Sequence, residues 1–288
     1  MIVVHTVVEL RAAVAQARRE GKTVGLVPTM GALHAGHTSL LRRARHEHDF
    51  VVMSLFVNPA QFDEAADLDA YPRTGEADSL LAGSEGVDVL FAPDTGEVYP
   101  PGFSTTVSVG ALTEVLEGEQ RGRSHFDGVT TVVLKLLNMA VPDTAYFGQK
   151  DAQQAVVIRR MVRDLDVPVA IAVVPTVRED DGLALSSRNA HLDGPDRRRA
   201  VALSRALRAA EQCVLAGERD GATVTSHALA AMHAFDVEPE YLALVDPETL
   251  APVAHVEEEA LLAVAARVGT TRLIDNTLLH ADGRSDAR

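Results

Sequence analysis

The sequence lacks the features of several protein classes. Cys213 is the only cysteine among 288 residues, which excludes an intrachain disulfide and a zinc site built on cysteine ligands. No stretch approaches the roughly 18 consecutive apolar residues that a membrane-spanning helix needs. The amino terminus has neither the basic start nor the apolar run of a signal peptide. We therefore expect a cytoplasmic globular protein with no membrane association.

Positive charge is also scarce. The chain has 27 Lys and Arg residues against 41 Asp and Glu residues, a net charge of −14 with histidine neutral. A nucleic-acid-binding protein needs a basic face toward the phosphates, so we expect no nucleic acid among the partners. A small anionic ligand is compatible with this charge, because a few well-placed cations can hold it inside an acidic protein. Apolar residues make up 47 % of the chain, enough for a substantial core.

Strand-like and helix-like segments alternate through the first two thirds of the chain. Continuous apolar runs predict buried strands, and the segments between them carry apolar residues at helical spacing. This alternation predicts an α/β fold with a Rossmann-like, doubly wound parallel sheet. The predicted strands are residues 23–27, 50–57, 87–91, 144–147 and 169–174, and the predicted helices are 38–48, 73–82, 129–139 and 152–165.

The composition changes in the last third of the chain. We predict two domains, a larger one over residues 1–177 and a smaller α+β domain over 178–288. The Asp-Asp-Gly turn that ends at Gly182 is a candidate hinge, so we expect the second domain to act as a lid. The polar tail at 280–288 is expected to fray. Within the smaller domain the sequence predicts helices at 196–215 and 223–235 and strands at 240–245, 261–265 and 272–276.

The segment PTMGALHAGH, residues 28–37, follows a predicted strand and precedes a predicted helix. Ligands of open parallel sheets gather at this edge, and the start of a helix offers unpaired N–H groups that suit phosphate. Gly31 and Gly36 permit close approach of a ligand to the backbone. His34 and His37 are three residues apart, so on a first helical turn both rings can donate hydrogen bonds to phosphate oxygens. A zinc site is the weaker interpretation, because no third ligand is evident.

Two further segments follow predicted strands. Gln61, in FVNPAQF, has an amide suited to a ligand hydroxyl or carboxylate, and a turn with a solvated Gln61 is the alternative. Lys150, in YFGQKDAQQ, can reach a phosphate as a point charge. An isolated lysine is usually solvated, but its place after a parallel strand favours a ligand-binding role.

Two more segments carry cations outside the predicted strands. Ser186, Ser187 and Arg188 supply two hydroxyls and a permanent guanidinium, a grouping that suits phosphate but also occurs in surface loops. The segment RGRSHFDG precedes the predicted helix at 129–139, and a charged surface loop is its alternative interpretation. Its candidate residues are Arg121, Arg123 and His125.

Together, and in this order, these segments resemble those of the pantoate–β-alanine ligase family. The resemblance runs from PTMGALHAGH through FVNPAQF, DLDAYPRT, HFDGVTTVVLKLLN and FGQKDAQQ to DGLALSSRN, which is nearly the whole chain. PTMGALHAGH alone is similar to the wider HxGH nucleotidyltransferase superfamily, and the later motifs select the ligase. The resemblance implies ATP-dependent condensation of pantoate with β-alanine through a pantoyl-adenylate, giving pantothenate, AMP and pyrophosphate. It also implies Mg²⁺ with the ATP and a homodimer.

The resemblance implies roles for individual residues. His34 and His37 would contact the phosphates and stabilise the adenylation transition state, while Lys150 would neutralise phosphate charge. Met30, Gln61 and Gln154 would bind pantoate. The implied catalytic residues are His34, His37, Lys150 and Arg188, and the implied ATP-binding residues are Met30, His37, Gly148, Lys150, Asp151, Ser186, Ser187 and Arg188. Further candidates are Arg121, Arg123 and His125, and Asp78 as a magnesium ligand.

The sequence departs from the family pattern at a few positions. Ala35 stands where the HxGH motif often has Glu, and Gln149 replaces a usual Glu beside the lysine. The family has Arg-Pro-x-His-Phe, whereas Arg121 and Arg123 are each one position from that spacing to His125. Two other functions stay open: another adenylyl transferase of the superfamily, which would make a dinucleotide rather than release AMP, and a non-catalytic nucleotide-binding protein.

Overall fold

The computed structural model describes residues 1–62, 68–69 and 71–284. Of the features discussed above, Asp67 and Ala70 in DLDAYPRT and residues 285–288 of the polar tail lie outside these ranges. The chain divides into two compact units, neither of which is a single stretch. Unit 1 comprises Met1–Gly148 and Val157–Val174, and unit 2 comprises Gln149–Val156 and Pro175–Arg288. The domain roles predicted for either side of residue 177 stay predictions.

Unit 1 is built on a parallel sheet, which in the described part of the chain has six strands in the order β1-β4-β3-β2-β5-β6. Helices connect successive strands, so the predicted Rossmann-like class is confirmed. The strands are β1 (Ile2–Val4), β2 (Val24–Thr29), β3 (Phe50–Leu55), β4 (Val89–Phe91), β5 (Thr144–Gly148) and β6 (Ala170–Val174). The helices are α1 (Val7–Arg19), α2 (Ala35–Glu47), α3 (Gly75–Ser84), α4 (Thr95–Val98), α5 (Glu117–Ala140) and α6 (Ala152–Asp164), the last shared between the two units.

The central strands are apolar at nearly every position because both faces of the sheet are covered. Successive side chains of a strand point to opposite faces. Leu26 and Val52 accordingly belong to one buried cluster, whereas their neighbours Val27 and Met53 belong to another on the opposite face. Burial on both sides explains why β2 and β3 appear in the sequence as continuous apolar runs.

The sequence interpretation missed β1 and α1. β1 is three residues long, and Ile2 and Val3 on this edge strand are about half exposed, so the strand has no continuous buried run. A signal for α1 was present in Thr6 and Glu9. The Glu9 N–H donates to the Thr6 hydroxyl and the Glu9 carboxylate accepts the Thr6 N–H, which is a capping box.

Two helices differ from their predicted extents. The helix predicted at 129–139 is the end of the much longer α5, which is interrupted by non-helical backbone at Gly122 with φ 76° and ψ 162°. The helix predicted at 196–215 is instead two helices, α7 (Gly194–Ala200) and α8 (Ala202–Leu215). Glycines and charged residues around Gly122 leave the first part of α5 without the apolar spacing that predicts a helix.

Unit 2 has the predicted α+β composition. Its antiparallel sheet has the order β7-β8-β9, where β7 is Pro239–Val245, β8 is Glu259–Val268 and β9 is Thr271–His280. The helices α7, α8 and α9 (Gly221–His233) contribute to a separate apolar core with this sheet. Within the described residues, none of the helices of the chain combines the length and apolar character needed to cross a bilayer.

Candidate active site

The loop after β2 leaves the sheet at its topological switch point, because β2 pairs with β3 on one side and with β5 on the other. This is the edge where open parallel sheets bind ligands. The loop turns through Gly31, whose φ of +90° is in the left-handed region. A Cβ at Gly31 would lie 2.8 Å from Leu55 Cδ1 and 2.9 Å from Asp78 Oδ2, so the packing here requires glycine.

Asp78 of α3 holds this loop in place. Its side chain is buried, with Oδ2 accepting from the Ala32 N–H at 3.0 Å and Oδ1 accepting from the Leu33 N–H at 2.9 Å. The Thr74 hydroxyl donates to Oδ2 as well, at 3.0 Å. These three hydrogen bonds give Asp78 a positioning role in the loop. Its role as a magnesium ligand, a candidate from the family resemblance, stays a prediction.

The two histidines of PTMGALHAGH lie together at the start of α2, with ring centroids 4.2 Å apart. His34 is the N-cap, and its Nδ1 accepts from the Gly36 N–H at 3.1 Å. The His34 N–H in turn donates to His37 Nδ1 at 3.2 Å. Since each Nδ1 is an acceptor, each neutral ring carries its proton on Nε2. Two Nε2–H donors thus accompany the positive end of the helix dipole, which suits an anionic ligand.

Neighbouring residues of this helix start fit the same arrangement. A Cβ at Gly36 would come within 2.8 Å of the His34 ring, so a glycine allows the histidine to cap the helix. Ala35, where the family often has Glu, is exposed. Its departure from the family pattern therefore leaves the contacts of His34 and His37 intact.

Met30 and Gln61, both predicted to bind the acid, are in contact. Gln61 Nε2 donates to Met30 Sδ at 3.1 Å, and Gln61 Oε1 accepts from Asn58 Nδ2 at 3.1 Å. Gln61 lies on a short 3-10 turn, Pro59–Gln61, for which Asn58 is the N-cap. The amide of Gln61 thus presents its nitrogen, a hydrogen-bond donor, on the side of Met30.

Asn58 determines this orientation of Gln61. It is buried, and its Oδ1 accepts from the Tyr99 hydroxyl at 2.7 Å and from the Ala60 N–H at 3.3 Å. Its Nδ2 donates to the Gly128 carbonyl at 3.0 Å as well as to Gln61. A reversed Asn58 amide would bring Nδ2 against the Ala60 N–H and Oδ1 against the Gly128 carbonyl. Burial raises the pKa of Tyr99 to about 12, so its hydroxyl remains a donor at neutral pH.

Helix α5 supports the same turn. His125 Nδ1 lies 2.8 Å from the Gln61 carbonyl oxygen, which can only accept, so Nδ1 carries the proton. A Cβ at Gly128 would lie 2.2 Å from the Ala60 carbonyl oxygen. The helix and the turn are therefore close enough to require glycine at this position. The structure gives His125 a positioning contact with the backbone of Gln61.

The two candidate arginines of RGRSHF have different partners because the non-helical Gly122 separates them. Arg121 Nε donates to Glu117 Oε2 at 3.2 Å, one turn earlier in α5. Arg123 donates to Ser108 Oγ through Nε at 3.1 Å and through Nη2 at 3.0 Å. These contacts anchor both side chains to their own surroundings, so the roles predicted for them stay predictions.

Three other predicted residues line one small cleft of unit 2. Lys150, Ser186 and Arg188 line it, with Arg272 of β9 as a third cation. Arg272 is already ion-paired with Glu240, its Nε donating to Oε2 at 2.5 Å, so Lys150, Arg188 and the Ser186 hydroxyl are the groups that suit a polyphosphate. The remaining lining residues are Leu183, Ala184, Asn189, Leu203, Leu273, Ile274 and Asp275.

Hydrogen bonds from two side chains, Arg178 and Asn276, hold the lining residues Asp275 and Lys150 in place. Arg178 forms a bidentate ion pair with the buried Asp275, with N–O distances of 2.6 and 3.1 Å, and it donates to the Gly182 carbonyl at 3.2 Å. Although burial alone would lower it, the hydrogen bonds and charge of Asp275 raise the pKa of Arg178. Asn276 Nδ2 donates to the backbone carbonyls of Gln149 and Lys150, at 2.9 and 3.0 Å.

The other predicted residues have less defined positions. Asp151 is exposed, and its Oδ1 lies 4.0 Å from Lys150 Nζ. Ser187 is exposed, and Gln154 is half-buried in the first turn of α6. Gly148 ends β5, and within the described part of the chain no heavy atom lies within 4 Å of the place its Cβ would take. Their predicted contacts with ATP and pantoate stay predictions.

Comparison with known proteins identifies the family. The model of the family described as "Pantoate-beta-alanine ligase" matches residues 2–278. The chain belongs to the pantoate–β-alanine ligase family. A pantothenate synthetase from Moorella thermoacetica is 50 % identical over 283 residues, which are 98 % of this chain and 100 % of that protein. One from Roseiflexus castenholzii is 50 % identical over 282 residues, again 98 % of this chain and 100 % of the relative.

Solved structures of the ligase family have the same fold. The pantothenate synthetase of Thermus thermophilus superposes with a TM-score of 0.89 at 48 % identity, covering 96 % of this chain and 98 % of that one. The Francisella tularensis ligase, crystallised with β,γ ATP and β-alanine, gives a TM-score of 0.78 at 33 % identity, with 96 % and 97 % coverage. The resemblance inferred from the motifs is confirmed, and the chain is an enzyme of this ligase family.

Several residues of this ligase were missed in the sequence. Asn58 was interpreted only as the end of a strand, and Tyr99 and Asn276 were given no function. Arg272 was assigned only to a predicted strand. The Asn-Pro pair at 58–59 was the one available signal, because Asn before a turn commonly caps it with its side chain.

Proposed function

We propose that this ligase condenses pantoate with β-alanine at the expense of ATP, releasing AMP and pyrophosphate. The family membership supports the reaction. The observation that carries the mechanism is that Nδ1 of His34 and Nδ1 of His37 each accept a backbone N–H at the start of α2, which makes Nε2 the donor of each neutral ring. Neither ring needs to form a covalent bond, because the chemistry requires stabilisation of charge rather than a protein nucleophile.

The first step activates the acid. A pantoate carboxylate oxygen attacks the α-phosphorus of ATP, the bond from that phosphorus to the bridging oxygen breaks, and pyrophosphate leaves. Negative charge shifts onto the phosphate oxygens during this step, so placed cations and N–H donors lower the barrier. We assign the donors to His34 and His37, and the cations to Lys150 and Arg188. Ser186, Ser187, Asp151 and Gly148 are assigned to ATP, with Met30.

The acid itself is assigned to Met30, Gln61 and Gln154. The donor orientation of Gln61 supports this, since a carboxylate or hydroxyl oxygen of pantoate accepts hydrogen bonds. In the second step the free amine of β-alanine attacks the acyl carbon of the adenylate, and AMP leaves. Orientation of the amine beside the adenylate can supply most of this acceleration.

Magnesium is proposed only as an ion that accompanies ATP. Among the residues that the structure describes there is no group of three or more His, Cys, Asp or Glu side chains that could hold a metal ion, and both oxygens of Asp78 are engaged. Mg²⁺ commonly binds through substrate phosphates and waters, where it neutralises charge. We assign no step to it. We also propose that the enzyme is a homodimer and acts in the cytoplasm.

The reaction is tested with ATP, pantoate and β-alanine supplied together. We expect pantothenate and AMP in equal amounts, measured by mass spectrometry and chromatography. Labelled pyrophosphate should exchange into ATP when pantoate is present without β-alanine, because the adenylate forms first. A dinucleotide product in place of AMP, or no pantothenate with all three substrates, would refute the proposal.

The histidine assignment has a matched control on the same helix. Replacement His37→Ala removes one donor and should lower turnover by about 10²–10³, as for other donors that stabilise developing charge. His46→Ala changes an exposed histidine in the last turn of α2 and should leave turnover unchanged. Equal turnover in the two variants would contradict the role of His37.

A further inference from the structure

We propose that Met30 is an oxidation site that controls the enzyme: conversion of its thioether to a sulfoxide closes the acid subsite by capturing the amide of Gln61. The inference rests on the proposed function, in which Met30 and Gln61 bind the acid substrate. It is drawn from the contact between Gln61 Nε2 and Met30 Sδ and from the burial of the other methionines.

Met30 differs in exposure from most other methionines of the chain. All six methionines lie within the described residues, and Met30 is partly exposed in the loop after β2. Four others are buried, with 0–7 % of their surface exposed, and Met1 is exposed at the amino terminus. An oxidant in solution therefore reaches Met1 and Met30 before the buried four, which are Met53, Met139, Met161 and Met232.

The present contact of Met30 is easily displaced. A thioether sulfur is a weak acceptor, so an acid oxygen readily takes its place beside Gln61 Nε2. A sulfoxide oxygen is a polar acceptor on the same sulfur atom. Because that sulfur lies 3.1 Å from Gln61 Nε2, the added oxygen competes directly with the acid substrate for this N–H donor.

Gln61 cannot avoid this competition by turning its amide. A turned amide would place Nε2 against Asn58 Nδ2, two donors facing each other. Asn58 cannot turn in compensation, because the Ala60 N–H and the Gly128 carbonyl fix its own orientation. Gln61 Nε2 therefore faces Met30 in both oxidation states of the sulfur. In the oxidised protein the sulfoxide oxygen accepts the hydrogen bond that the acid substrate would otherwise accept.

Formation of the sulfoxide is a two-electron oxidation of the Met30 thioether. The sulfur lone pair of Met30 attacks one oxygen of hydrogen peroxide, the O–O bond breaks, and the products are the sulfoxide and water. Methionine sulfoxide reductases reverse the reaction with a thiol reductant. The single thiol, Cys213, is itself half-buried and oxidisable, so a test needs a background without it.

The test compares the Cys213→Ser protein with the Cys213→Ser, Met30→Leu protein, each before and after treatment with hydrogen peroxide. Peptide mass spectrometry locates the added oxygen, and initial rates give KM for pantoate. We expect oxidation at Met30 to raise KM for pantoate about tenfold, the equivalent of one strong hydrogen bond lost to competition. The reductases should restore the original KM, and pantoate present during treatment should slow oxidation at Met30.

The Met30→Leu protein has its own basal KM, and peroxide should leave that value unchanged. The inference is overturned if Met30 carries the oxygen and KM for pantoate stays the same. It is also overturned if the buried methionines oxidise before Met30, or if both proteins respond equally. Failure of the proposed function is seen separately, because the untreated protein would then form no pantothenate.

Discussion

A single methyl group at Gly128 tests whether α5 positions the acid-binding turn. A Cβ there would lie 2.2 Å from the Ala60 carbonyl oxygen, 2.5 Å from the carbonyl carbon and 2.7 Å from the Gln61 nitrogen. Ordinary contacts of a Cβ begin at 3.4 Å, so the turn must move by about 1 Å. All three atoms belong to the backbone, which cannot rotate away as a flexible side chain can. The displacement therefore reaches Gln61 directly.

The expected effect of Gly128→Ala is opposite to that of an ordinary helix substitution. Alanine in place of glycine in an open helix position stabilises by about 1 kcal/mol. Overpacking against Ala60 instead costs about 1–3 kcal/mol. Because misplacement of a binding group by about 1 Å lowers activity roughly 10²-fold, we expect a loss of this size in kcat/KM for pantoate. Steady-state kinetics and thermal unfolding measure the two effects.

Gly75→Ala is the matched control for this substitution. Gly75 begins α3, and no heavy atom of the described residues lies within 4 Å of the place its Cβ would take. We expect this variant to keep the wild-type kcat/KM and the same or a slightly higher Tm. If Gly128→Ala also keeps both values, the close approach of α5 to the turn does not position Gln61, and the reasoning fails.

Three further substitutions test other contacts. Tyr99→Phe keeps the ring but removes the hydroxyl that donates to Asn58. We expect KM for pantoate to rise a few-fold and the free energy of unfolding to fall by about 1–2 kcal/mol. An unchanged KM would contradict the role of the hydroxyl. Asn276→Ala removes the donors to two backbone carbonyls beside the cleft of unit 2, and calorimetry should show weaker ATP binding than in the wild type. Burial raises the pKa of Asp143, but a hydrogen bond from Arg18 and one from a backbone N–H outweigh it, so the pKa lies below its usual 3.8. The ionised Asp143 stabilises the fold above pH 3.8, and this contribution is lost as the pH falls through the lower pKa of the folded state. The difference in Tm between the wild type and Asp143→Asn should therefore become smaller in acid. A gap that stays constant with pH would contradict this assignment.

The interior of the large sheet was predictable because both of its faces are buried. β2, β3 and β5 are continuous apolar runs for that reason, and β2 pairs with β3 on one side and with β5 on the other. β1 lies on the exposed edge and lacks such a run. The first part of α5 was hidden because its helix is interrupted at Gly122 and its apolar face is short there.

In the candidate site, contacts between residues near in sequence were predictable, and contacts between distant residues were not. His34 and His37 are only three residues apart, so the sequence predicted their proximity, although His34 is the extended N-cap and not a residue of the first helical turn. The contact of Tyr99 with Asn58 joins residues 41 positions apart, and no local pattern encodes it. The contacts of Asp78 are equally distant in sequence. Its oxygens accept from backbone N–H groups 45 and 46 positions away, which no local pattern encodes, and its role as a magnesium ligand stays a prediction.

The discontinuous composition of the two units constrains how the chain can be divided. Residues Gln149–Val156 belong to unit 2, yet they precede the last part of unit 1 in the sequence. Asn276 is hydrogen-bonded to Gln149 and Lys150, 127 and 126 positions away. If the chain is cut after Val174, the amino-terminal fragment contains Gln149–Val156 but lacks β9, which carries Asn276. The carboxyl-terminal fragment contains β9 but lacks Gln149–Val156. Neither half expressed alone can assemble the lysine side of the cleft, whereas mixing the two halves supplies every missing partner.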